Sequence, residues 1–202
     1  MEDVVGNYFK AKSDLKKLLS DSVQKRLISD VPIGVFLSGG LDSSLIASMA
    51  SKIKKTKIKT YSIGFENNKY DETYYSSMVA NHIGSDHKVK FLNHTDLLNV
   101  LDEFENNFDE PFSDSASFPT LAISEFARKD VKVVLSGDGS DELFGGYNYY
   151  KFIEKFHLIL KSPLFLRNII HYLFKMVPSH KLNLISECIT KKNIIEIYSF
   201  MR

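Results

Sequence analysis

Hydrophobic and polar positions change period several times along this chain, and the changes mark out its elements. Leu15, Leu18, Leu19, Val23 and Leu27 recur near helical spacing, which predicts an amphipathic helix over 14–28 with Ser13 as its N-cap. Asp30-Val31-Pro32 ends it. Ile33 to Leu37 is then a continuous apolar run of β-formers, as expected of a strand buried on both faces. Ser38-Gly39-Gly40 turns the chain into a helix over about 43–53. The alternation repeats: strand 59–65, helix 71–83 capped by Asp71, strand 87–92, helix 95–105, an irregular acidic loop over 106–115, helix 117–128 and strand 131–135. Strands separated by helices of this length predict an α/β fold with a mostly parallel sheet covered on both faces. After Tyr147 no strand pattern remains, and the chain reads as helices broken near Pro163 and Pro178.

In a sheet of this kind ligands bind beyond the carboxyl ends of the strands. Both glycine-rich segments of the chain fall there. The first, Phe36-Leu37-Ser38-Gly39-Gly40-Leu41-Asp42-Ser43-Ser44, joins a buried strand to a helix. Its glycines let backbone N–H groups approach a ligand, the helix adds its positive end, and three serine hydroxyls add donors. That is an anion cradle suited to pyrophosphate, although the Walker pattern and its lysine are absent. Asp42 would repel phosphate unless a divalent cation, Mg²⁺ foremost, bridged the two. The second segment runs Ser136-Gly137-Asp138-Gly139-Ser140-Asp141-Glu142-Leu143-Phe144-Gly145-Gly146-Tyr147. Its acids Asp138, Asp141 and Glu142 need water, a cation or a cationic substrate group around them. Ser136 and Gly137 are small enough to let backbone approach a ring or a ribose.

The first string resembles the PP-loop of the ATP pyrophosphatases, and the two strings together resemble asparagine synthetase and its relatives, including β-lactam synthetase. Asp109-Glu110-Pro111, Asp114 and Pro119 are similar to that family as well, so the resemblance covers about residues 13–150. It implies a doubly wound, adenine-nucleotide alpha-hydrolase-like (PP-loop) fold with a C-terminal helical extension. The implied division is an ATP-pyrophosphatase domain over 1–150 and a helical, incomplete C-terminal lobe over 151–202. By the same resemblance Phe36 or Leu37, Ile63, Ser136 and Gly137 line the adenosine pocket. Ser38, Gly39, Gly40, Asp42, Ser43 and Ser44 hold the phosphates. Asp42 and Asp141 are the Mg²⁺ ligands, and Asp138, Asp141 and Glu142 form the catalytic acids. Asp138 stands where asparagine synthetases often have Glu.

The implied reaction activates a carboxylate, aspartate's in the parent enzymes, with ATP and then amidates it with ammonia. Glutamine-dependent members carry a cysteine nucleophile after the initiator Met, in a glutaminase domain that precedes this one. Here position 2 is Glu2 and the single cysteine is Cys188, which reads as a small core residue on an apolar helix. The expectation is therefore a chain without its own glutaminase, taking ammonia from solution, from a separate glutaminase chain or from a domain outside this sequence. Three other readings stay open: amidation of another carboxylate in polysaccharide or secondary metabolism, a truncated paralogue that binds ATP without turnover, and a different PP-loop ligase such as a tRNA-modifying one. The absence of CxxC pairs and of a strong basic face counts against the last.

Composition narrows the rest. The chain has 202 residues, 44% of them hydrophobic and 25% charged, and a formal net charge of +1. Those values suit an ordinary globular protein and give no whole-chain argument for a nucleic-acid partner. From Asp141 onward nine basic residues stand against five acidic ones, which reads first as a solvated helix face. Leu164 to Val177 is an apolar stretch of about 14 residues interrupted by Arg167, His171 and Lys175, too short for a span of roughly 20. Those three cations at i, i+4 spacing read as the wet edge of a helix in an all-α lobe, with a membrane-surface helix the less favoured alternative. With no basic n-region or apolar h-region at the start, the expected location is cytoplasmic.

Overall fold

The computed structural model describes residues 7–66, 71–110, 114 and 116–201. It divides into two compact units, Met1–Asp138 and Gly139–Arg202.

The first unit runs α1 (Tyr8–Arg26), β1 (Ile33–Phe36), α2 (Leu41–Ile53), β2 (Lys59–Phe65), α3 (Thr73–Ile83), β3 (Asp86–Leu92), α4 (His94–Asn107), α5 (Ser117–Arg128) and β4 (Val133–Leu135). The strands form one sheet in the order β3-β2-β1-β4, and every pairing is parallel. Gly34 is in register with Lys59 and Val134, and Ile63 with Lys90. Side chains alternate across it as pleat geometry requires. Ile33, Val35, Leu37 and Leu135 pack with Val23 of α1, Ala47 and Ala50 of α2 and Ala80 of α3. On the other face Phe36, Tyr61 and Val134 meet Ile123, Phe126 and Ala127 of α5. Next to them Ile63, Phe65 and Leu92 meet Val100 of α4 and Ala122 of α5. Both faces are thus covered, which is why β1 is apolar at successive positions. Each fully buried aliphatic side chain here contributes about 1.5–3 kcal/mol.

Helix starts follow local side-chain chemistry. Asp71 accepts from the Thr73 N–H at 3.2 Å and the Thr73 hydroxyl at 2.9 Å. Asn93 and Asp96 form a reciprocal capping box with distances of 2.9 and 3.0 Å. The cap expected at Ser13 is corrected. Helix α1 begins earlier, at Asn7, whose side chain accepts from the Phe9 N–H at 3.0 Å, because nothing in Tyr8–Lys12 opposes helix. The acidic loop expected over 106–115 falls partly outside the described residues, Pro111 included, and α4 takes its first two positions.

Every element described in the second unit is a helix: α6 (Ser140–Phe144), α7 (Asn148–Leu160), α8 (Leu164–Lys175), α9 (His180–Thr190) and α10 (Ile194–Met201). Its core is Ile153, Phe156, Cys188, Ile189 and Ile197. Cys188 is fully buried there, and burial pushes its thiol pKa up. The wet edge expected at Arg167, His171 and Lys175 holds for Lys175, which is exposed, and is corrected at Arg167. Arg167 is only 3% exposed, donating from Nε to the Ile189 carbonyl at 2.8 Å and from a terminal nitrogen to the Lys191 carbonyl. His171 Nδ1 lies 3.0 Å from the Ser186 carbonyl, and Lys175 pairs with Glu187 at 3.1 Å. The stripe faces α9, where it satisfies carbonyls and a carboxylate. Among the described residues no helix is long and apolar enough to cross a membrane.

Candidate functional site

The winding of the sheet reverses at β1. From β1 the chain steps through β2 to β3, then returns through α4 and α5 to place β4 on β1's other side. A crevice outside the carboxyl ends of β1 and β4 is the consequence. The first glycine-rich loop and the start of the second, Ser136 to Asp138, lie there in the first unit.

In the β1–α2 loop Gly39 has φ +90°, and a Cβ on it would lie 2.6 Å from the Ser76 nitrogen and 2.6 Å from Tyr75 Cβ. The backbone is therefore wedged against the first turn of α3 in a conformation only glycine adopts readily. Ser38 and Ser43 lock the turn. Their hydroxyls are 2.9 Å apart, and the Ser38 N–H donates to Ser43 Oγ at 3.2 Å. The Gly40 N–H donates to Ser38 Oγ at 3.2 Å, and the Ser43 hydroxyl reaches the Gly40 carbonyl at 3.3 Å. Helix α2 starts after Gly40 with no side-chain cap, and Asp42 is the acid of its first turn. The orphan N–H groups and the positive end of the helix dipole are left for an anion. Ser44 Oγ is buried with no hydrogen-bond partner among the described residues, a further donor in the same turn.

The β4 loop packs directly on this turn. A Cβ on Gly137 would fall 2.8 Å from the Ser43 nitrogen and 3.0 Å from Asp42 Cβ. Ser136 is half-buried and Asp138 exposed. In the second unit the same sequence motif continues as the short helix α6, which carries Asp141 and Glu142 in its first turn. The Tyr147 hydroxyl donates to Glu142 Oε1 at 2.6 Å, and that bond to a carboxylate pushes the phenol up to about 12.

A cleft of about 330 Å³ opens beside the loops. Of the residues singled out from sequence, Phe36, Leu37, Ser38, Ser43, Ile63, Ser136 and Asp138 line it. Gly39, Gly40, Asp42, Ser44 and Gly137 build the adjoining turn without lining the cleft, and Asp141 and Glu142 belong to the second unit. Sequence reasoning missed Ser62, Phe65, Glu72, Thr120 and Ile123, which also line it; Pro119, noticed for its motif, does too. The period of two through Ile63 could have added Phe65. The cleft thus has an apolar slot of Phe36, Leu37, Ile63, Phe65 and Ile123, and a polar end at Ser38 and Ser43 beside the α2 N-terminus. Among the described residues its lining holds the acids Glu72 and Asp138 and no lysine or arginine. Among the described residues no three His, Cys, Asp or Glu side chains gather as a metal cluster.

The family model for asparagine synthase matches residues 14–189. A Methanocaldococcus jannaschii protein carrying the provisional name asparagine synthetase (glutamine-hydrolyzing) 2 is 46% identical over 153 residues, 75% of this chain and 30% of that protein. Asparagine synthetase (glutamine-hydrolyzing) 1 of Bacillus subtilis is 39% identical over 138 residues, 68% of this chain and 22% of the other. The chain therefore spans less than a third of the length of these curated relatives. Among solved structures, an NH3-dependent NAD synthetase from Campylobacter jejuni overlaps at TM-score 0.46 with 16% identity, covering 67% of this chain and 60% of that one.

Proposed function

We propose, from the premise that this chain belongs to the asparagine synthase family, that it serves ATP-dependent amidation of a carboxylate. The carrying observation is the cleft, in which an apolar slot ends at an uncapped helix N-terminus and a serine pair. A nucleotide needs those two surfaces together: a flat apolar wall for the base and N–H donors for the phosphates.

The residues present fit ATP and Mg²⁺. Phe36, Leu37, Ile63 and Ser136 would hold the adenosine, Gly137 letting the β4 loop come close. Ser38, Gly39, Gly40, Ser43 and Ser44 would hold the phosphates, the unpartnered Ser44 hydroxyl among them. Asp42 in the first turn of an anion-binding helix makes chemical sense with a cation beside it. Magnesium commonly takes one or two carboxylates plus substrate phosphates, and Asp42 would be one of them. Asp141, carried by the second unit, is the other carboxylate the family resemblance assigns to the metal. Bound Mg²⁺ would neutralise phosphate charge beside Asp42.

In the proposed reaction the carboxylate of the substrate, aspartate by family, attacks the α-phosphorus of ATP. The α–β phosphoanhydride bond breaks and pyrophosphate leaves. Ammonia then attacks the acyl carbon of the acyl-adenylate, giving the amide and AMP, with a proton passed to solvent or to a nearby carboxylate. Asp138, at the mouth of the cleft, and Glu142, bonded to Tyr147, are the carboxylates proposed to attend that step. The chain's contribution is positioning and fixed dipoles. The curated relatives named above are described as glutamine-hydrolyzing; for this chain we propose ammonia from solution or from a separate glutaminase chain.

The test is ATP–pyrophosphate exchange by the 202-residue chain with Mg²⁺, with and without aspartate, beside calorimetric titration with ATP. Aspartate-dependent exchange supports the full reading. Nucleotide binding without exchange under aspartate rules aspartate out as a sufficient substrate for this chain. No nucleotide binding at all refutes the site.

A further inference from the structure

Glu142 and Tyr147 belong to the second unit, and the chain between them folds so that the two side chains meet. They stand five residues apart, which in a continuing α-helix would set them roughly 140° apart around the axis. The helix does not continue. Helix α6 stops after Phe144 at Gly145, which has φ +67°. The N–H groups of Gly145 and Gly146 both turn back to the Asp141 carbonyl, the second at 3.0 Å. A Cβ on Gly146 would collide with Asp141 Oδ1, so the returning chain lies against that carboxylate. Tyr147 is thereby carried back to the start of α6, where its hydroxyl donates to Glu142 Oε1 at 2.6 Å. The phenol is itself held. Its ring stacks on Tyr149 with centroids 5.0 Å apart and planes 14° apart, and lies 5.9 Å from the Tyr150 ring. Tyr149 and Tyr150 stand in the first turn of α7, and Tyr149 meets Tyr198 of α10 edge-on at 5.7 Å. A carboxylate bonded to a hydroxyl fixed in this way loses the broad freedom of its terminal torsion.

We propose that Tyr147 is a positioning residue for amidation: it holds the Glu142 carboxylate in the orientation in which that group receives the incoming ammonia. The proposal rests on the reading that Glu142 attends the ammonia step. A tyrosine suits the task better than a cation. Lysine or arginine would neutralise the carboxylate it held, whereas a phenol is neutral at working pH and donates one hydrogen bond. Glu142 keeps its negative charge while one of its oxygens is pinned. A carboxylate so held accepts a hydrogen bond from an N–H of ammonia and leaves the nitrogen lone pair aimed at the acyl carbon. Tyr147 has no part in the earlier attack on ATP, so its hydroxyl matters to only one half of the reaction.

The test compares the two half-reactions in Y147F, which keeps the ring and its stacking and removes only the hydroxyl. With aspartate as the acid, pyrophosphate exchange should stay within about twofold of the parent's. In amide formation kcat/KM for ammonia should fall at least about tenfold, the loss expected for a hydrogen bond to a charged group. E142Q should lower the same constant, and adding Y147F to E142Q should cost less than about twofold more, because the pair acts as a unit. In the free chain the ¹³Cζ resonance of Tyr147, assigned by its loss in Y147F, should move in E142Q. A Y147F chain that loses exchange and amidation by the same factor reports a structural role and overturns the proposal. So does a kcat/KM for ammonia within about twofold of the parent's, additive losses in the double variant, or a Tyr147 resonance that E142Q leaves in place. A parent chain that makes no amide from aspartate and ammonia overturns the reading of Glu142, and the proposal with it; the kinetic failures arise only in an active parent, so the two are told apart.

Discussion

Replacing Gly137 by alanine adds one methyl group where the β4 loop lies on the start of α2. The new Cβ would sit 2.8 Å from the Ser43 nitrogen, 3.0 Å from Asp42 Cβ and 3.1 Å from the Asp42 carbonyl carbon. Ordinary contact begins near 3.4 Å, so loop and helix must separate by roughly half an ångström, and the atoms in the way are mostly backbone. Overpacking of this kind costs about 1–3 kcal/mol. The Ser43 N–H belongs to the proposed phosphate cradle, and a misplacement of about 1 Å is worth about 10²-fold in rate. The expected loss in exchange activity is therefore about tenfold. Gly139→Ala is the control. Gly139 has φ +84° but no heavy atom within 4 Å of the added methyl, so it costs about 1–2 kcal/mol of backbone strain without pushing on Ser43. Urea unfolding followed by circular dichroism, with pyrophosphate exchange on the same samples, separates the two. G137A with exchange within about twofold of the parent would refute the reasoning, as would G139A harming exchange the more.

Three further outcomes follow from the same structure. D42N should cut Mg²⁺-dependent exchange by about 10²-fold while costing at most about 1 kcal/mol of stability for the lost charge at a helix start; titrating MgCl₂ against exchange and urea midpoints checks both. His87 Nδ1 lies 2.9 Å from Thr60 Oγ1 while its Nε2 is buried without a partner among the described residues, and burial lowers its pKa. The fold thus favours the neutral ring, so its contribution to stability is complete above the unfolded value of about 6.5 and is lost as pH falls below it. Urea midpoints between about pH 7.5 and 5.5 should fall, and H87Q should flatten that slope. R167L leaves the Ile189 and Lys191 carbonyls without their donor, which should destabilise the helical unit by about 2–4 kcal/mol, seen as a lower thermal midpoint by circular dichroism.

The sheet was legible because its pattern is local. A strand buried on both faces is apolar at successive positions, and Ile33 to Leu37 shows that with β-branched residues and a proline before it. The loops were legible because glycine positions report backbone approach, and Gly39 and Gly137 are both pressed against neighbouring backbone. The remaining wall of the cleft was not. Thr120 and Ile123 reach it because α5 crosses the face of β1 and β2, a fact of topology that the periodicity of α5 does not contain. Glu72 lines the cleft because the chain enters α3 beside Gly39, and a single acid before a helix reads equally well as a cap.

Helix α8 shows the limit of periodicity more sharply. Spacing reveals that Arg167, His171 and Lys175 share one stripe and that the apolar residues share the other. It does not reveal which stripe meets the protein. The usual assignment, apolar inward, assumes that a buried cation finds no partners. Arg167 finds two carbonyls at the end of α9, and carbonyls at helix C-termini lack intrahelical donors. A guanidinium offers about five donors in a fixed plane, so one side chain satisfies both at once. Lys175 and Glu187 neutralise each other farther along the same face. With its polar stripe used this way, α8 can bury its apolar stripe only against something outside its own hairpin. The reversal thus rests on Arg167: an R167L chain should lose the native packing of α9 together with its carbonyl bonds, read as weaker amide-exchange protection over α9, and protection within about twofold of the parent's would refute that account.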